Sequence, residues 1–314
     1  LKWISMACLL FALVQDHEPE PGQDMLIITH EGKAVSSVKR YPHNLNVFPL
    51  LYMDQYNRWV NELDRKIYQE ARNARIDGSG SIVPGENGYK LNRRELLKGY
   101  YAYFYGRGPA RMDAPLYPIY PKVDTELLAS LRAKQIGYYV TYYNANNKDR
   151  SHNIALAAKA IDSTVIFPGE TFSFNQVVGI RTMGKGYRQA AVIVRGELSE
   201  GVGGGICQVS STLFNAVDRA GLSIVKRYSH SRHVPYVPPG RDATVSWGGP
   251  DFVFDNAYNQ PVLIRAFAGG GSMAVSIYSS DVIEYAPKKV PSTSYQLPEE
   301  VRDISAHPNP VNGQ

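Results

Sequence analysis

The chain has 314 residues, of which 44% are hydrophobic and 20% charged, with a formal net charge of +5 and a pI of about 9.0. That balance excludes a disordered chain and leaves room for two modest domains, each with its own core. Lysines and arginines are spread along the sequence, which excludes a dedicated nucleic-acid surface, while the mild positive excess suits a polymer bearing carboxylates or phosphates.

In chain order, Lys2 precedes an apolar run from Trp3 to Val14, broken by Ser5 and followed by the polar stretch Gln15 to Asp24. Residues 1–23 therefore read as a signal peptide or membrane anchor, short for a span, and Leu1 in place of Met points to a truncated start. Cys8 follows Ala7, but the apolar run continues beyond it, which argues against lipidation. Met25 to Tyr41 reads as two short strands around Glu31-Gly32-Lys33. Gln55 to Ala71 carries Trp59, Leu63 and Ile67 at helical spacing, and Arg93 to Tyr105 reads as a second helix, after a turn at Pro84 to Gly88. Residues 25–108 thus form a small α+β module, and the prolines and tyrosines of residues 109–122 predict an extended linker.

A second domain is expected over residues 124–285. It opens with a helix from Asp124 to Ala133, an alternating strand from Ile136 to Tyr143 and an alanine-rich helix from Ser151, its cap, to Ile161. Strands are predicted at Thr164 to Phe167, Ala191 to Arg195, Ala243 to Trp247, Phe252 to Asp255, Val262 to Ala268 and Met273 to Tyr278. The class is α+β, with a mixed α/β second domain whose C-terminal half is β-rich. Residues 286–314 lack periodicity and read as a loose tail.

With Cys8 in the export segment, Cys207 is the one thiol of the folded part. It follows Gly203-Gly204-Gly205-Ile206 and begins a helical pattern with Val209, Leu213, Ala216, Val217 and Ala220 on one face, stopped by Gly221. A thiol in the first turn of a helix feels free N–H groups and the positive end of the dipole, both of which favour thiolate. The glycines can bring backbone close to a substrate and aim N–H groups at a developing oxyanion. The Lys-Ser/Thr ending of a phosphate-binding P-loop is absent.

Downstream, His230 and His233 lie on a short segment that reads as extended, followed by a proline turn and Asp242. At odd separation in a strand the two histidines face opposite ways, so one alone can act as base on Cys207, with Asp242 holding its tautomer. A zinc site from Cys207, His230 and His233 is the competing chemistry, but it offers three ligands and no established metal spacing.

The stretches Phe167 to Asn175, Gly179 to Thr182, Gly203 to Thr212 and Tyr236 to Val245, with Asp251 and Asn256, resemble the VanW domain over about Lys134 to Tyr278. Met25 to Pro121 resembles the peptidoglycan-binding-like module that often precedes such domains. The resemblance implies an exported, cell-envelope protein acting on peptidoglycan stem peptides, with glycan as a further partner. The activity implied is that of an L,D-transpeptidase-like cysteine acyltransferase, with a cysteine carboxypeptidase or endopeptidase, or a non-catalytic wall-binding protein, as alternatives. It matches Cys207 to the nucleophile and His230 to the motif histidine. Gly203, Gly204, Gly205, Gln208, Ser210 and Ser211 would form the oxyanion and substrate loop, with Arg181, Tyr236 and His233 supporting the reacting groups. No cofactor, metal or nucleic acid is implied, membrane contact is confined to the N-terminal segment, and the chain is expected to act as a monomer.

Overall fold

The computed structural model describes residues 24–40, 51–194 and 197–294, and the side chains at 193–198 are left aside. The predicted export segment lies outside the described residues. Among the described residues no helix is long and apolar enough to cross a membrane.

The chain divides into two compact units; the second resumes at Val123, beside the expected start at 124, but it also takes Asn73–Gly85, and residues 109–122 belong to the first. The first unit takes residues up to Arg72 and then Glu86–Lys122. In the first unit β1 (Met25–His30) and β2 (Lys33–Lys39) form an antiparallel hairpin. Its turn residues Glu31 and Gly32 both have positive φ, the conformation that matches the twist of a tight hairpin. Helix α1 (Met53–Ile67) buries Tyr56, Val60, Leu63 and Ile67, the periodic face read from sequence. The chain then makes a short hairpin of β3 (Arg75–Ile76) and β4 (Ile82–Val83), which belongs to the second unit. It returns through β5 (Gly88–Leu91) to α2 (Arg93–Tyr105), whose N-terminus is capped by the Asn92 side chain accepting from the Glu95 N–H.

Residues 109–122 are not a linker. They carry β6 (Ala110–Asp113), parallel to β1, and β7 (Leu116–Ile119), antiparallel to β5. Proline content misled the reading: Pro109 and Pro115 fall outside the strands, and Pro118 sits in a two-stranded sheet where one face of the backbone needs no donor.

The second unit opens with α3 (Thr125–Ser130), capped by Asp124, and with β8 (Lys134–Tyr142). Helix α4 (Lys148–Ile161) starts earlier than expected because Asn147, not Ser151, accepts from the Arg150 N–H; Ser151 donates back to the Asn147 carbonyl. After β9 (Val165–Ile166), β10 (Thr171–Ser173) and α5 (Phe174–Val178), a hairpin of β11 (Gln189–Val194) and β12 (Glu197–Val202) leads into α6 (Ile206–Arg219). The chain closes with β13 (Ser223–Lys226), β14 (Val253–Asp255), β15 (Val262–Gly269) and β16 (Ser272–Ser279).

The main sheet has the order β8-β16-β15-β9, and β13 and β10 flank β14 in a second sheet. Helices α4 and α6 pack on the main sheet, so the central core joins Tyr139, Ile154, Leu213, Val217, Val262 and Val275. The α+β class stands. Two expectations do not. Ala243 to Trp247 is not a strand, because its backbone groups go to separate partners: Ala243 N–H to the Ser211 hydroxyl and Thr244 N–H to the Tyr228 carbonyl. The described part of the tail is docked: Val290 is buried, and the Val290 and Pro291 carbonyls accept from Arg219 and from the Tyr139 hydroxyl.

Candidate active site

The β11–β12 hairpin delivers the chain to Gly203, Gly204 and Gly205, and each glycine has a local reason. Gly203 and Gly205 have φ of 91° and 105°, a region closed to most residues, and Gly205 is the N-cap of α6. A Cβ on Gly204 would lie 2.6 Å from the Ala190 carbonyl and from the Ala191 oxygen, so the loop is pressed onto β11. The glycines thus first serve a tight turn and close packing.

That turn sets Cys207 in the first turn of α6, partly exposed. Its N–H lies where a helix offers no internal acceptor, and Sγ sits at the positive end of the dipole. Sγ lies 3.7 Å from the Thr244 hydroxyl and 3.5 Å from the Val245 carbonyl, to which the thiol donates. His230 acts electrostatically on the thiol. Its Nδ1 is committed to Asp242 Oδ2 at 2.6 Å, which leaves Nε2 for the sulfur. The same carboxylate oxygen accepts the His230 backbone N–H at 2.6 Å, and Oδ1 accepts from Arg227 at 3.2 Å. The imidazole is therefore fixed at its backbone and at its ring by one buried acid.

Electrostatics favour charge separation. Burial pushes the Cys207 thiol up, but the hydrogen bond and charge of His230, with the Val245 backbone and Thr244, bring it below its ordinary value. Burial pulls His230 down, yet its bonds and charge interactions with Cys207 and Asp242 hold it above its ordinary value. Asp242, raised by burial, ends below the usual carboxylate range because the His230 N–H and ring favour its charge. Both shifts run in the direction of thiolate and imidazolium. Burial, and then the charge at Cys207, push the Tyr236 phenol well above its ordinary value, so its hydroxyl stays neutral.

Not every expected residue belongs to this group. His233 is exposed, and the segment from Arg227 to Val234 is not a strand, so alternation does not separate the two histidines; the Asp242 anchor does. Gln208, Ser210 and Ser211 are buried within α6 rather than in the glycine loop before it. Gln208 donates to the Thr141 hydroxyl and Tyr142 carbonyl and accepts from Arg150, which ties α6 to β8. Ser211 donates to the Cys207 carbonyl and accepts the Ala243 N–H, stapling the start of α6 to the segment bearing Asp242 and Thr244. Ser210 Oγ has no partner. Among the described residues no group of three His, Cys, Asp or Glu side chains could hold a metal ion.

Sequence reasoning missed Arg227 and Thr244. Arg227 donates to the Asp242 carboxylate and to its backbone carbonyl, and the one signal for it was a basic residue one short turn ahead of His230.

The family described as VanW like protein matches residues 149–278, a span that contains Cys207, His230 and Asp242. The chain is 58% identical over 294 residues to the "uncharacterized protein YoaR" of Bacillus subtilis (strain 168), covering 93% of this chain and 96% of that one. It is 34% identical over 116 residues to the vancomycin B-type resistance protein VanW of Enterococcus faecalis (strain ATCC 700802 / V583), covering 35% of this chain and 42% of that protein. No solved structure matches the chain. The chain belongs to the VanW family and is related to a vancomycin-resistance protein.

Proposed function

We propose that the chain is an extracytoplasmic cysteine acyltransferase acting on peptidoglycan stem peptides, in the manner of an L,D-transpeptidase. The observation that carries this reading is the Cys207–His230–Asp242 arrangement at the start of α6, where each partner shifts the next toward a thiolate–imidazolium pair. Relation to a vancomycin-resistance protein supports the cell wall as the field of action.

In the first half-reaction the thiolate attacks the carbonyl joining the third stem residue to the fourth. Negative charge moves to the carbonyl oxygen, where the Cys207 N–H at the helix start can meet it; one such donor is worth about 3–4 kcal/mol. As the tetrahedral intermediate collapses, the C–N bond breaks, His230 gives its proton to the leaving amine, and a thioester remains on Cys207. A side-chain amine of a neighbouring stem then attacks the thioester, His230 takes its proton, and the thiolate leaves. The product is a 3-3 cross-link. With water as acceptor the same steps give a carboxypeptidase. The first unit is the wall-holding module in this proposal, since its exposed, stacked Tyr101 and Tyr105 offer flat faces of the kind sugars use.

The test is incubation of the chain with purified muropeptides followed by mass spectrometry, with Cys207→Ala as control. Cross-linked dimers with loss of the terminal residue support the transferase, and loss of that residue alone moves the reading to the hydrolase. Unchanged muropeptides overturn both.

A further inference from the structure

Arg181 lies against the turn that leads into Cys207 and has no part in the steps above. Its stem lies against the turn that opens into Cys207: a Cβ added at Gly203 would meet Arg181 Cβ at 3.3 Å and Cγ at 3.5 Å. The guanidinium carbon lies 5.6 Å from the centre of the Phe174 ring, and Nη1 donates to Asn175 Oδ1 at 2.7 Å. Nε and Nη2 are shut off from solvent and have no partner.

The nearest acid does not supply one. Asp251 Oδ2 accepts from the Ser173 hydroxyl at 2.6 Å, and Oδ1 accepts the N–H groups of Asn175 at 2.9 Å and Phe252 at 2.8 Å. A guanidinium does not shed its proton to escape such a setting. Two donor nitrogens therefore stay unpaired on a residue packed against the turn that leads into Cys207, an arrangement a fold rarely keeps without a use. The free pair is also the informative one. Nε–H and the adjacent Nη2–H point the same way and form the fork that a carboxylate fills with two parallel bonds. The charges of Cys207 and Arg181 act on one another, which puts the fork within electrostatic reach of the reaction centre. The residue as a whole keeps some surface in solvent.

We propose that Arg181 is a carboxylate subsite beside Cys207, holding the free α-carboxylate of the donor residue that leaves when the thiolate attacks. The assignment of that carboxylate rests on the peptide-donor reading above. It makes Arg181 the residue that sets the register, so that a donor ending one residue beyond the scissile bond is preferred over a longer or amidated one.

The test compares alkylation of Cys207 in the full chain by iodoacetate, which carries a carboxylate, and by iodoacetamide, which is the same size and neutral. In Arg181→Gln the ratio of the two rate constants should fall roughly tenfold or more, the factor a charge-assisted bond commands. Arg181→Lys, which keeps the charge without the fork, should fall between. An unchanged ratio, or both rates dropping in parallel, would mean that Arg181 only tunes the thiolate, and the subsite is then wrong. A second measurement needs no variant: N-acetyl-D-alanine should slow iodoacetamide labelling of the unaltered chain and its C-terminal amide should not. Equal protection by the two, or none, overturns the proposal even if the variants fold poorly. Neither readout requires turnover of a stem peptide. A chain that separates the reagents through Arg181 yet leaves muropeptides intact keeps the subsite and loses the transferase, and the opposite pair of results loses the subsite alone.

Discussion

At the scale of single residues, the grouping of Cys207, His230 and Asp242 proposed to react was legible because such a combination is rare. An unpaired cysteine before a helical pattern, with histidines and an acid downstream, has few other uses. What sequence could not supply was the reason to prefer one histidine. Strand alternation was the argument, yet no strand exists there, and the choice is made by Asp242, which holds both the backbone and the ring of His230. His230→Ala should therefore slow acylation of Cys207 by about 10²–10⁴-fold, the usual worth of a positioned acid–base group, while exposed His233→Ala should stay within a few-fold. Single-turnover acylation rates, with melting curves for both variants, check this; the reverse ranking would place the base elsewhere. Asp242 gives a pH prediction with a defined sign. The lowered thiol and the raised imidazole both shift the balance toward a thiolate–imidazolium pair. Asp242→Asn removes a charge that raises His230, so the imidazole loses its proton at lower pH. The alkaline limb of the kcat/KM profile should then move to lower pH, and a limb that stays put or moves up contradicts the role given to Asp242.

At the scale of elements, most strands and helices followed from periodicity, and the misses share a cause. Local pattern does not reveal where a polar group finds its partner. Helix α6 was expected to show one apolar face, leaving Gln208, Ser210 and Ser211 to a substrate loop, but it is buried on almost every side. Gln208, Ser211 and Asn215 on it are met by Thr141, Tyr142, Arg150, Ala243 and Arg241, none of which adjoins them in sequence. The motif around Cys207 therefore serves folding as much as chemistry. Gln208→Ala should cost about 1–3 kcal/mol or more in urea unfolding, because it strips partners from buried groups on β8 and α4. The catalytic rate of the molecules that remain folded should change little. A stable Gln208→Ala protein with a large loss of rate would return Gln208 to the substrate.

At the scale of the whole molecule, composition found two units, the start of the second and the α+β class, but it missed that Asn73–Gly85 joins the second unit and that residues 109–122 are part of the first. Residues 109–122 read as a linker because prolines disfavour regular structure, whereas β6 and β7 pair with strands that precede them by tens of residues, a long-range fact no window can see. A fragment of residues 24–108 lacks both strands and should show no cooperative thermal transition, while residues 24–122 should melt cooperatively by circular dichroism. Equal behaviour of the two fragments would restore the linker.

The central claim is that Cys207 carries an acyl group during turnover, and intact-protein mass spectrometry tests it most directly. The chain is mixed with a stem tetrapeptide, quenched in acid within the first turnovers and weighed. The account predicts an added mass equal to the donor less its terminal residue, located on Cys207, labile to hydroxylamine and absent in Cys207→Ala. An unmodified Cys207 while the donor is being consumed, or an adduct on any other residue, would contradict it.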